Sequence, residues 1–236
     1  MLHSTREYQM SRNMNTRRSL YIICLLLLSA VGNKLDAQTV VKSVRQANDS
    51  TNHALIHQIG FDVRPGYVAP TNSFLEGDNA QRQKIDRSLS LHLKYAFQFS
   101  KDSYLGRLYP HAYQGIGVSH NTFYNSAELG NPVAVYAFQG APIVRLSSRL
   151  SLDYEWNFGA SFGWKQYDEH SNWYNDAIGS KINAYINLGF VLNWQFYPQW
   201  KLAAGVDFTH FSNGNTRYPN GGLNTIGGRV GIVRTF

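Results

Sequence analysis

From Leu150 to Trp164 the chain alternates without a break. Leu150, Leu152, Tyr154, Trp156, Phe158, Ala160, Phe162 and Trp164 share one side of a two-residue period, and Ser151, Asp153, Glu155, Asn157, Gly159, Ser161 and Gly163 the other. Successive side chains of a strand point to opposite faces, so this is a strand with one apolar and one polar face. Strands of soluble proteins are usually about five or six residues long, and this one is far longer. The pattern repeats from Ile182 to Phe196, with Asn183, Tyr185, Asn187, Asn193 and Gln195 on the polar side, and from Leu89 to Phe99. One face is too continuously apolar to meet water, and the other too polar for a packed core. Apolar-out, polar-in strands with aromatic residues near their ends are the pattern of an outer-membrane barrel.

Further strands are expected over Ala54–Val68, His111–His120, Val133–Leu146, the segment ending at Ser212, and Gly222–Phe236. Together they predict an all-β fold, an eight-stranded antiparallel transmembrane β-barrel of the bacterial outer membrane, over residues 54–236. The long polar connections Thr71–Arg87, Asn121–Asn131, Tyr167–Gly179 and Asn213–Gly221 alternate with short ones such as Ser147–Arg149 and Pro198–Gln199. With both termini periplasmic, the long loops are extracellular and the short turns periplasmic. The link Lys101–Pro110 is the exception in length. Phe236, closing an alternating strand, resembles the C-terminal signal of bacterial outer-membrane proteins. Trp164, Trp194 and Trp200 read as interface anchors.

Before the barrel, Arg17 and Arg18 precede an apolar run from Leu20 to Leu28, and Leu35-Asp36-Ala37 ends in a small residue. A basic lead, a short apolar run and a small-residue exit make a secretory signal peptide, residues 1–37. The run is shorter than the 20 or so apolar residues of a spanning helix. Residues 38–53 are a polar periplasmic lead. Cys24 is the only cysteine and lies within the leader, which excludes disulfide and thiolate chemistry in the mature chain. The formal charge of +7 falls on removal of the leader, and without a basic run it gives no reason to expect nucleic acid as a partner.

On one face of the seventh strand, Leu202, Ala204, Val206 and Phe208 are followed by His210 and Ser212. A base and a nucleophile therefore continue the lipid-facing side at the level of the outer leaflet. Residues two apart on one face have Cβ atoms about 7 Å apart, a gap that an imidazole can bridge to a serine oxygen. A third group must hold the imidazole tautomer. Asn224 has the outward parity on the eighth strand, whereas Asp207 should point into the barrel. Ser90 and His92 share a face at the same spacing, but inward. Asp153 and Glu155 form an inward carboxylate pair, to be neutralised by Lys94, Arg145 or Arg229. His57, His111, His120 and His170 show no metal-ligand spacing, and Gly221-Gly222 and Gly227-Gly228 precede no helix that would make a phosphate loop.

The segment His210-Phe211-Ser212-Asn213, with Pro219-Asn220, Gly222 and the strand opening at Asn224, resembles the outer-membrane lipid A 3-O-deacylases (PagL-type). The specific likeness covers about the last thirty residues. It implies a serine esterase that removes the ester-linked acyl chain at the 3-position of lipid A, with Ser212 as nucleophile and His210 as general base. It further implies an oxyanion site from Asn220 with backbone N–H groups near Asn213 and Gly214. No metal or organic cofactor is implied, and the partners are lipopolysaccharide and outer-membrane lipids, as a monomer or homodimer. The family carries a glutamate where this chain has Asn224. An asparagine oxygen still fixes the tautomer but brings no charge, and Glu155 is an alternative acid. The residues alone also admit a non-catalytic barrel, an adhesin or structural protein, or an esterase or phospholipase acting on another lipid.

Overall fold

The computed structural model describes residues 55–236; the expected signal peptide, residues 1–37, and the expected lead, residues 38–53, lie outside them. Eight strands follow in order: β1 (Ile56–Val68), β2 (Arg87–Gln98), β3 (Tyr113–Thr122), β4 (Gly130–Arg145), β5 (Leu150–Trp164), β6 (Ile182–Tyr197), β7 (Trp200–Ser212) and β8 (Leu223–Thr235). Each pairs antiparallel with its neighbours, and β8 closes on β1. Closure leaves no unpaired strand edge, which is what permits strands to cross a bilayer.

The alternation read in the sequence is the alternation of the walls. Trp156, Phe158, Leu188, Phe190 and Val206 are exposed on the outside, while Asp153, Glu155, Asn157, Asn183 and Asn187 are buried inside. Trp194 is likewise exposed. Trp164 corrects the expectation that it anchors the interface. Gly163 adopts a left-handed φ of +87° beside a register shift between Gly130 and Val133, and the next side chain turns inward. The Trp164 indole is buried, donates to Ser161 Oγ at 2.9 Å and stacks on Phe123.

Strand limits move where side-chain bonding or a bulge extends the ladder. β3 starts at Tyr113 rather than His111 and runs on through Asn121, whose Nδ2 donates to Ser119 Oγ and the Pro132 carbonyl. The Lys101–Pro110 link contains a short helix, α2 (Tyr104–Leu108), capped by Ser103. The first long loop contains a helical turn, α1 (Ser73–Glu76), which buries Phe74 and Leu75. With Ile85, Phe123, Leu129, Trp164, Ile178 and Phe211 these residues form an apolar plug at the extracellular end.

Below the plug lies a network of six charges. Asp62, Glu155 and Asp207 meet Arg64, Lys94 and Arg229, so the cluster is formally neutral. Buried charges persist only when paired and hydrogen-bonded. The neutralising partners of Glu155 are thus Lys94, Arg229 and Arg64. Arg145 is not among them: it donates to His111 Nε2 and to the Ser148 carbonyl. Asp153 instead accepts from Asn193 Nδ2 at 2.8 Å. The periplasmic half of the lumen holds a cavity of about 370 Å³.

The barrel's stagger can be followed through paired residues. From Gln58 they run through Ala96, Gly115, Phe138, Asn157, Asn187, Thr209 and Thr225, returning to β1 at Val68, ten residues nearer the extracellular end. Such stagger fixes a strand tilt of roughly 40°. A line perpendicular to the strands therefore rises toward the outside from β1 to β8 and descends in the reverse direction.

Candidate active site

β7 ends where the third and fourth long loops meet it, and its last outward residues are His210 and Ser212. β7 pairs with β8 so that His210 stands opposite Asn224. His210 Nδ1 lies 2.6 Å from Asn224 Oδ1, and His210 Nε2 lies 2.9 Å from Ser212 Oγ. An amide oxygen only accepts, so Nδ1 carries the proton and donates to Asn224. Nε2 is then left with its lone pair to accept from the Ser212 hydroxyl. All three side chains are half-buried, open on the lipid side.

Asp207 points inward and binds the Arg229 Nε at 3.0 Å, as its parity requires. Glu155 does not serve as a substitute acid. It is buried in the lumen against Arg229 and Lys94, on the other side of the wall from His210. The position beside Nδ1 is filled by Asn224 alone among the described residues.

The turn after Ser212 is held by side chains. The Asn213 N–H donates to Asn220 Oδ1, and Asn213 Nδ2 donates to the Arg217 carbonyl. The Asn213 carbonyl accepts from Thr216 Oγ1. Gly214 sits in the left-handed region, with open space where a Cβ would stand. Gly222 is also left-handed, at φ +69°, and there a Cβ would lie 3.4 Å from His210 Cε1 and 3.2 Å from the Phe211 carbonyl. The backbone thus runs close over the imidazole, an approach that glycine alone allows without strain.

What holds Gly222 there comes from a distant loop. The Gly221 and Gly222 N–H groups donate to the Asp176 and Ala177 carbonyls. Asn175, fully buried, shapes that segment: its Oδ1 accepts from the Ala177 and Ile178 N–H groups, and its Nδ2 donates to the Glu128 and Lys165 carbonyls. Asn175 was not foreseen from the sequence, where it is one more asparagine in a polar loop.

A closed eight-stranded barrel with an apolar outer wall, here carrying an imidazole and a hydroxyl, is the architecture of an outer-membrane protein. The family model for lipid A 3-O-deacylase (PagL) matches residues 90–233. The chain belongs to that family: it is an ester hydrolase of the bacterial outer membrane, a lipid A 3-O-deacylase. No curated protein matches it in sequence. Among solved structures, Neisserial surface protein A is similar with 8% identity and a TM-score of 0.48, over 76% of this chain and 97% of that one. The outer membrane enzyme PagL is similar with 11% identity and a TM-score of 0.47, over 73% and 97% of the two chains.

Proposed function

We propose that Ser212, His210 and Asn224 are the catalytic residues of the deacylation, with Asn224 in the place of the family's carboxylate. The observation that carries this reading is the pair of hydrogen bonds on one imidazole, 2.6 Å to Asn224 and 2.9 Å to Ser212. Ser212 Oγ attacks the carbonyl carbon of the ester at the 3-position while its proton passes to His210 Nε2. The tetrahedral oxyanion is met by donors of the turn after Ser212. Asn213 gives its N–H to Asn220 Oδ1, so the Asn220 Nδ2 and the Gly214 N–H are the donors assigned to the oxyanion. Collapse breaks the ester C–O bond, and the imidazolium returns its proton to the sugar oxygen. Water, deprotonated by His210, then cleaves the acyl-enzyme and releases a fatty acid.

Asparagine serves here because of which atom it presents. In serine proteases, replacing the triad aspartate by asparagine costs about 10⁴ in rate because the wrong tautomer results. With Oδ1 toward Nδ1 the tautomer is the productive one. The missing element is the negative charge that would stabilise the imidazolium. Mass spectrometry of lipid A from cells expressing wild type or Ser212→Ala tests the assignment. The 3-position acyl chain should be absent with wild type and retained with Ser212→Ala; its loss in both would overturn the role of Ser212.

A further inference from the structure

Toward the periplasm the lumen ends in the cavity of about 370 Å³, which reaches from Glu155 and Arg229 of the ion cluster to the turn residues Ser148 and Pro198. The cluster and the plug above it make this a blind vestibule, not a channel. Its volume is at the lower end of small-molecule sites.

Parity and the turns gather cations on it. Lys201 has the inward parity of Ala203 and Asp207 on β7. Arg145 stands opposite Ser151, which shares the inward parity of Asp153 and Glu155 on β5. Arg149 comes from the β4–β5 turn and Lys101 from the link after β2, and all four line the cavity. None of the four is ion-paired among the described residues. They differ in this from Lys94 and Arg229, whose charges the cluster balances. His111, at the end of the same link, shows how closely they converge. Burial, and after it Arg145, Lys101 and Lys201, hold its imidazole below its usual pKa, and its Nε2 accepts from Arg145 at 3.2 Å.

Against these cations the vestibule sets one further carboxylate. Asp153 is buried, and its Oδ2 accepts from Asn193. Its Oδ1 is buried too and accepts no hydrogen bond among the described residues. A buried acceptor left unmet is costly, so this atom calls for a ligand that brings a donor. The cations call for one that brings negative charge, and arginine and lysine are the usual partners of phosphate. A molecule with a phosphate at one end and a hydroxyl at the other meets both demands. The Asp153 charge repels the phosphate end, which fixes the way round such a molecule lies.

We propose that the vestibule binds a hydroxylated phosphate ester of the glycerol phosphate type, entering from the periplasm. The phosphate lies against Arg145 and Lys201, and a hydroxyl donates to Asp153 Oδ1. Two sources offer this group, a free ester and the headgroup of phosphatidylglycerol in the inner leaflet. The polar lumen wall has no place for acyl chains, so the free ester is the source that fits. The site lies at the opposite end of the barrel from Ser212 and does not depend on the deacylation residues.

Calorimetric titration of the purified protein in dodecyl maltoside with sn-glycerol 3-phosphate, at physiological salt, tests the site. Saturable binding is expected, with Kd raised about ten-fold or more in Arg145→Gln/Lys201→Gln, which lacks two charge-assisted donors. Arg234→Gln should bind as wild type does, because Arg234 lies exposed over Trp200 on the outer wall. Inorganic phosphate should bind wild type more weakly than the ester, and Asp153→Ala should erase that difference. Heat-modifiable mobility in gels and wild-type deacylation establish that each variant is a folded barrel; Lys201→Gln alone serves if the double variant does not fold. Doping the micelles with phosphatidylglycerol separates the sources. An unchanged titration upholds the free ester, and a suppressed one gives the site to the headgroup and overturns the free ester. No saturable heat in wild type up to about 10 mM, or a loss in Arg234→Gln with none in the double variant, overturns the site. Equal affinity for the ester and inorganic phosphate overturns the part given to Asp153.

Discussion

His92 Nε2 lies 2.9 Å from Ser90 Oγ inside the barrel, the same separation that His210 Nε2 keeps from Ser212 Oγ on the outer wall. The inner imidazole is oriented too, with its Nδ1 2.8 Å from the Tyr136 hydroxyl. Distance does not distinguish the two pairs; access does. His92 is buried under the apolar plug and beside the ion cluster, where no lipid reaches. Ser90→Ala should therefore leave deacylation at the wild-type rate. Ser212→Ala should lower kcat by about 10³ or more, as loss of a nucleophile does. Release of fatty acid from purified lipopolysaccharide measures both.

Asn224 divides into an orienting role and an absent charge, and two substitutions separate them. Asn224→Ala removes a hydrogen bond that must hold an imidazolium in the transition state, a contribution of about 1.5–3 kcal/mol. A fall of ten- to a hundredfold in kcat with KM little changed is expected. Asn224→Glu supplies the charge and should raise kcat above wild type. A rate for Asn224→Glu below that of Asn224→Ala would show that the acceptor position is not where the structure puts it.

Gly214 and Gly222 share a left-handed φ but differ in their surroundings. Alanine in that region costs about 1–2 kcal/mol of backbone strain at either site. At position 222 the added methyl also meets His210 Cε1 and the Phe211 carbonyl. Gly214→Ala should be a mild loss, whereas Gly222→Ala should lower kcat by more than ten-fold. Steady-state kinetics on one ester substrate compares them directly.

Glu155 bears on stability, not on chemistry. Removing its charge leaves Arg229, Lys94 and Arg64 short of a buried partner, and breaking a buried pair from one side costs about 3–5 kcal/mol. Glu155→Gln should lower the urea midpoint of the barrel in lipid vesicles accordingly. Activity per folded molecule should stay at the wild-type level. A fold-corrected loss of activity would instead place Glu155 in the reaction.

Parity makes the outer placement of the candidate residues legible in the sequence alone. Period two places His210, Ser212 and Asn224 on one wall and Asp207 on the other, and closure brings β7 beside β8. Parity says nothing about which inward residues meet, because that depends on the ten-residue stagger summed over eight ladders. Hence Arg64, 86 residues before β5 begins, was not foreseen as a partner of Glu155. Trp164 failed for a local reason: the sign of φ at Gly163 reverses the face of the next residue. A glycine near a strand end was the available cue, since such glycines often mark bulges. Asn175 gave no cue, because its bonds all go to backbone groups brought near by folding.

The outward placement of Ser212 on a plugged barrel has a kinetic meaning. With Ser212 as the proposed nucleophile, substrate reaches the hydroxyl only by lateral diffusion within the leaflet, so encounter happens in two dimensions. The quantity that sets the rate is the mole fraction of lipopolysaccharide in the surface, not its amount per volume of solution. Diluting the substrate with inert amphiphile at constant bulk concentration slows such an enzyme as surely as removing the substrate would.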